Sequence, residues 1–208
     1  MINNIELIKP LLAFPDEDTF YKIEVMERRK EHPDLFTNTR IVKTYYVSSL
    51  ESLERLFNEE IKDLCDFFGA RAYIYLNSRS YEKVAFASLK QTVDCICTKD
   101  YKAAKRAYNA ACGKTCNGGE NKKWLFDLDE KNDEIAKIID ELVAEVNGKV
   151  YAHIPTKSGT HIITSVFNIK DFWDRLSVRI SQHPTSRELE VIEKMDIHKD
   201  NGTILYIP

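Results

Sequence analysis

The sequence predicts an α+β protein in which an N-terminal αβ unit (residues 1–112) packs beside a C-terminal β-α-β-β-α-β module (residues 113–208). Three observations carry this. Period-two apolar runs alternate with stretches of helical periodicity along the chain. A polar, glycine-containing segment, CGKTCNGGENKK at 112–123, separates the halves. After that segment the order of elements is strand, helix, two strands, helix, strand.

The elements follow in order. Residues 20–28 (FYKIEVMER) and 41–48 (IVKTYYVS) read as two strands around a polar loop, a hairpin. In LESLERLFNEEIKDLCDFFG, the residues Leu53, Leu56, Phe57, Ile61, Leu64 and Phe68 recur at helical spacing, and Gly69 supplies the stop. A short strand at 70–76 and a helical stretch from about Tyr81 to Ala111 complete the first unit. In the second, 124–129 is a strand. Residues 133–147 form a helix with Ile135, Ile139, Leu142 and Val146 on one face, opened by Asn132 or Asp133 and ended by Gly148. Strands 150–155 and 160–167 meet at the turn TKSG, and 169–180 is helical. A last pair of strands, 191–198 and 203–207, surrounds the turn Lys199-Asp200-Asn201-Gly202. This is the ferredoxin-like, RRM-like order. It sets the first and third strands side by side mid-sheet, with the fourth flanking the first.

Composition narrows the class. The 208 residues suit one large domain or two small ones, and an apolar fraction of 43% supports a sizeable core. A formal net charge of −3 excludes a broad electrostatic wrap around nucleic acid, leaving local basic patches. No apolar run reaches the roughly 20 residues of a membrane span. The N-terminus lacks a signal-peptide pattern. Five cysteines without an export signal read as reduced thiols, so the expected location is cytoplasmic.

Strand parity picks out a site. Leu125, Asp127 and Asp129 point one way from their strand, and Trp124, Phe126 and Leu128 point the other, onto the helices. The carboxylates then take the face left open, since burying them unpaired is costly. His161 on the third strand and Asp196 on the fourth converge on them. Asp127, Asp129 and Asp196 are hard oxygen donors suited to two Mg²⁺ or Mn²⁺ ions, with substrate phosphates completing the shells. Lys157, Ser158 and Gly159, in the turn before His161, stand where a triphosphate is gripped. Lys199, Arg71 and Arg79 are further candidate phosphate contacts. Tyr73 and Tyr75 read as sheet residues before base-stacking platforms. Zinc is not expected: Cys95 and Cys97 lie in a helix-like run poorly spaced for chelation, and Cys112 and Cys116 make a weak second pair.

FDLD, then SGTH, then an Asp leading into a strand resemble the three motifs of the archaeo-eukaryotic primase superfamily, the primase-polymerases. Asp127 and Asp129 match its DxD motif. Ser158 to His161 match its second motif in shortened form, and Asp196 matches its hydrophobic-Asp motif. The resemblance runs from about residue 20 to the end. It implies a single catalytic core, with an RRM-like sheet beside an N-terminal αβ unit. It also implies metal binding by the acidic residues, triphosphate contact by His161, nucleoside triphosphates as substrates, a single-stranded nucleic-acid template, and a helicase or other replication protein as companion. Two alternatives stand beside it. One is a non-catalytic nucleic-acid-binding replication accessory. The other is a haloacid-dehalogenase-type phosphatase, for which FDLDE resembles the nucleophile motif but lacks the following Gly-Thr, having Glu130-Lys131 instead.

Overall fold

The computed structural model describes residues 1–116 and 121–208, so positions 117–120 of the predicted 112–123 loop lie outside the described residues. The architecture is α+β, with one six-stranded and one four-stranded antiparallel sheet.

The chain opens with β1 (Ile2–Asn3) and helix α1 (Ile5–Ile8), which tightens into a 3₁₀ turn at Lys9–Leu11. The predicted hairpin is β2 (Thr19–Arg28) and β3 (Thr39–Val47), paired from Tyr21↔Val47 to Arg28↔Thr39. The next helix is a single rod: α2 (Leu50–Leu56), a π turn at Phe57–Ile61, and α3 (Lys62–Phe68). Ser49 and Ser52 form a reciprocal capping box at its start, and Gly69 ends it in the left-handed region at φ 56°. Strands β4 (Arg71–Tyr75) and β5 (Arg79–Ser80) follow.

The single helix expected over 81–111 is instead three: α4 (Tyr81–Cys97), α5 (Tyr101–Ala104) and α6 (Ala107–Lys114). The break falls where Lys99 adopts φ 60° and Asp100 caps α5 by accepting from the Ala103 amide. Because α6 runs to Lys114, the first part of the predicted 112–123 loop is helical.

The second half begins as expected with β6 (Lys123–Leu128), α7 (Asp133–Glu145), β7 (Val150–Pro155), β8 (Thr160–Ser165) and α8 (Ile169–Gln182). The final pair of strands does not form a hairpin. Residues 187–193 are helix α9 (Arg187–Glu193), capped by Ser186 and burying Leu189 and Ile192. Only β9 (Ile197–His198) continues the second sheet, pairing with β6. β10 (Gly202–Ile207) crosses to the first sheet and lies between β1 and β4. All its residues are buried, which suits a central strand covered on both faces and not the edge of a hairpin. The first sheet thus runs β1-β10-β4-β2-β3, with β5 on β2, and the second runs β7-β8-β6-β9. The 112/113 division does not separate them, because the last strand belongs with the first.

The predicted parity of β6 holds, but the face opposite the helices is not open. Trp124, Phe126 and Leu128 pack with Ile135, Ile139, Phe172, Leu176 and Ile192 from α7, α8 and α9. On the other face, Leu125, Ile154 and Ile163 join the core of the first sheet, with Ile23, Ile74 and Leu205. Apolar residues on both faces of β6 require cover on both, and the first sheet provides it. Asn4 fastens this junction: its amide donates to the Pro155 and Ile204 carbonyls at 2.9 and 3.0 Å.

Candidate active site

Where the cores of the two sheets part, a cleft of about 430 Å³ remains, within the size range of small-molecule sites. Its floor comes from the second sheet and its wall from alternate residues of the first. Along β2 the polar face is Lys22, Glu24, Met26 and Arg28, interleaved with the core residues Ile23 and Val25. Register sets Glu24 opposite Tyr73 and Met26 opposite Arg71 on β4, and Tyr75 opposite Gly202 on β10. Glu24, Arg28, Arg71, Tyr73 and Tyr75 line the same cleft as Asp127, Asp129, Lys157, Ser158 and His161.

Asp127 and His161 face each other in register across β6 and β8, with Nε2 3.3 Å from Oδ1. His161 is buried, while the Asp127 side chain remains 43% exposed to the cleft. The imidazole is fixed from the other side by Thr203 of β10, whose Oγ1 lies 2.9 Å from Nδ1. The ring is thus held between the Thr203 hydroxyl at Nδ1 and the Asp127 carboxylate at Nε2, where an Nε2 proton points toward Asp127. The hydrogen bond from His161 holds the Asp127 carboxyl below the ordinary carboxylate value, against burial that would raise it. The charges of His161, His198 and Arg28 act in the same direction.

The turn carrying Lys157 and Ser158 lies directly on the end of β6. Gly159 donates to Thr156 Oγ1 at 3.0 Å, and its carbonyl accepts from the Thr156 amide at 3.0 Å. A Cβ at Gly159 would stand 1.8 Å from the Leu128 carbonyl oxygen and 2.8 Å from the Asp129 carbonyl carbon. Only glycine permits this approach, which brings the SGTH and DLD segments together.

The remaining expected contacts divide. Asp196 is exposed and lines an adjoining pocket with Asp127, Asp129 and His198. Arg71 faces the cleft, where Glu31 pairs with it. Arg79 does not: its side chain is fully buried, donating to the Cys112 and Asn77 carbonyls and, at 2.7 Å, to Asp200 Oδ2. Asn77 completes that clamp, donating to the carbonyls of Lys123 and Lys199 and to Asp200, and accepting from the Lys123 amide. Lys199 is absent from the cleft lining and sets its ammonium 5.7 Å from the Trp124 ring centre.

Arg28, Thr203, Glu24 and Glu31 were not legible as site residues. The alternation of β2 marks Arg28 as lying on a polar face, but nothing local says what that face meets. Tyr75 is held within the wall: its hydroxyl donates to Glu24 at 2.7 Å, and Lys22 stands 3.9 Å over its ring while bonding Glu24 at 3.1 Å.

Among the described residues, no group of three or more His, Cys, Asp or Glu side chains is arranged to hold a metal ion. The donor chemistry of Asp127 and Asp129 still fits a hard cation of the Mg²⁺ kind, which is held by one or two carboxylates plus phosphate oxygens and not by an all-protein cage.

No family model matches the chain, and no curated protein or solved structure matches it. Among the described residues, no helix is long and apolar enough to cross a membrane.

Proposed function

We propose that this chain is a primase-polymerase-like nucleotidyltransferase, adding nucleotides from a nucleoside triphosphate to a nucleic-acid strand. One observation carries the reading. Asp127 and His161, from two short motifs far apart in sequence, stand in register 3.3 Å apart at the floor of a cleft whose wall bears Arg28 and Arg71. The strand order β9-β6-β8-β7, reached through β-α-β-β-α-β with α9 added before the last strand, supports the reading, since it is the order expected of a split βαβ unit.

Asp127 and Asp129 are the residues that would hold Mg²⁺ or Mn²⁺. Held there, such an ion would supply Lewis acidity for the attacking hydroxyl and the leaving pyrophosphate. The chain's own groups account for the rest. His161, positioned by Thr203, offers an Nε2 hydrogen bond to an anion entering beside Asp127. Arg28, Arg71 and Lys157 supply positive charge along the wall, and Gly159 keeps the Lys157-Ser158 turn close to the carboxylates. Asp196 borders the site from the adjoining pocket as a third acidic contributor.

The test is Mn²⁺-dependent incorporation of a labelled nucleotide on a primed single strand. Asp127→Asn is expected to lower the rate by roughly 10³-fold, corresponding to the loss of several kcal/mol of electrostatic stabilisation. Incorporation at the wild-type rate by Asp127→Asn would refute the assignment. A second reading, a non-catalytic replication accessory, is favoured by the lack of a preassembled three-ligand metal site among the described residues. Tight single-strand binding by a wild-type protein that incorporates nothing decides for it. The phosphatase alternative gains no support, because FDLDE begins at the end of β6, a strand of an antiparallel sheet, and not in a doubly wound parallel one.

A further inference from the structure

We infer that Glu31 is a built-in competitor at the candidate phosphate contacts Arg71 and Lys157, a displaceable carboxylate that holds this pair until an anionic ligand takes its place. This rests on the nucleotidyltransferase reading for the identity of the ligand. The geometry that supports it is independent of that reading.

Arg71 leaves β4 toward the cleft with its side chain only 9% exposed. A guanidinium so placed carries a charge at any accessible pH and needs an anion beside it. Glu31, in the turn after β2, provides one. Arg71 Nε donates to both Glu31 oxygens, at 3.2 and 3.0 Å, and Nη2 donates to Oε1 as well. Lys157 reaches the same Oε1 at 3.2 Å from the turn that precedes His161. One carboxylate is therefore gripped in a fork by an arginine and by a lysine from opposite walls of the cleft. A phosphate group takes the same bidentate and point-charge contacts.

Position favours occupancy by ligand. Arg28 lies on the face of β2 that carries Met26, the register partner of Arg71, and its charge is felt at Asp127. Arg71, Arg28 and Asp127 thus line one cleft, and Lys157 and His161 border it from the same hairpin. A phosphate chain anchored at Arg71 and Lys157 can extend toward the carboxylates. Glu31, by contrast, sits outside the regular strands, on a connection where Lys30, Asp34, Phe36 and Thr37 are exposed. Moving its carboxylate therefore breaks no strand pairing. Burial pushes its carboxyl upward, but the bonds from Arg71 and Lys157 outweigh that and hold it below its ordinary value, so it is an anion at neutral pH.

The deciding experiment measures binding of inorganic triphosphate to the full chain without metal, by calorimetry. Glu31→Gln removes the competing charge and is expected to tighten binding about tenfold, within the usual range of coupling between sites. It is also expected to lower the melting temperature of the unliganded protein, with added triphosphate restoring it. Lys157→Ala, at a largely exposed side chain that can be lost without refolding, is expected to weaken binding several-fold and to shrink the gain from Glu31→Gln. Unchanged affinity in Glu31→Gln, with only a lower melting temperature, makes Glu31 a structural fastener and overturns the inference. So does a gain confined to an abasic single strand, which would assign the pair to template backbone. A wild-type protein that behaves as expected toward triphosphate but incorporates no nucleotide refutes the polymerase reading while leaving the subsite standing. Normal incorporation with an unmoved triphosphate affinity does the reverse.

Discussion

Single residues decide whether the two motifs meet, and Gly159 is the most exacting of them. Its Cα faces the backbone of Leu128 and Asp129 with no room for a methyl group. The clash is with main chain, which cannot rotate aside, so Gly159→Ala must lift the turn from β6 or distort the strand. The expected cost is about 3 kcal/mol or more, at the upper end for overpacking, read as a shift in the urea midpoint. If the variant folds, the Asp127–His161 pairing is disturbed and nucleotide-dependent signals fall with it. A midpoint within experimental error of wild type would contradict this packing. The placement of Asp127 and His161 side by side was legible because parity and spacing within one sheet fix it, whereas Gly159 read only as a turn residue allowing a ligand close to the backbone, and its packing against β6 was not. Thr203 was not, since its contact with His161 depends on β10 leaving for the other sheet. Arg79 was misread for a related reason: charge in a sequence reads as surface, and its partner Asp200 lies far along the chain.

Among the elements, the β9–β10 connection holds the site together. It carries Asp200, whose carboxylate takes the buried Arg79 guanidinium on one oxygen and the Asn77 amide on the other, at 2.7 and 3.1 Å. Asn77 in turn bonds the start of β6 and the carbonyl of Lys199, so the end of β4 is tied to both strands of the second half that approach it. Asp200→Ala leaves a fully buried cation without its anion. The expected destabilisation is about 3–5 kcal/mol, the range for breaking a buried pair from one side. Replacing Lys199, whose side chain only overlies Trp124, is expected to fall within about 0.5 kcal/mol, as for ordinary surface positions. Equilibrium denaturation of the two variants separates clamp from bystander. The elements of the second sheet were largely readable from periodicity, up to α8. The last stretch was not, because VIEKMDIH alternates well enough for a strand. The Ser186 cap and the Leu189–Ile192 spacing that make 187–193 helical are weaker signals than the apolar run they precede.

At the scale of the whole molecule, the chain returns on itself. β10 lies between β1 and β4, so the first sheet is assembled from both ends of the sequence. Leu205 of that strand is fully buried among Ile23, Ile74 and Leu53, while Leu125 and Ile163 of the second sheet enter the same core. A local reading places residues near their sequence neighbours, and no periodicity signals a strand that crosses between sheets. This is why two consecutive modules looked sufficient. The interlocked arrangement has a measurable consequence. A fragment of residues 1–112 lacks β10 and exposes β4 as a new sheet edge beside an unfilled core. A fragment of residues 113–208 keeps β10 without partners and bares Leu125, Ile154 and Ile163. Neither is expected to unfold cooperatively in urea, whereas the full chain is expected to show one transition by both tryptophan fluorescence and far-ultraviolet circular dichroism. Co-expression of the halves should recover that transition, since the missing strand is supplied in trans. A 1–112 fragment with a sharp transition of its own would mean that the first sheet closes without β10. Thr203, carried on that strand, would then be an addition to a finished sheet, and the coupling of fold to His161 through it would be lost.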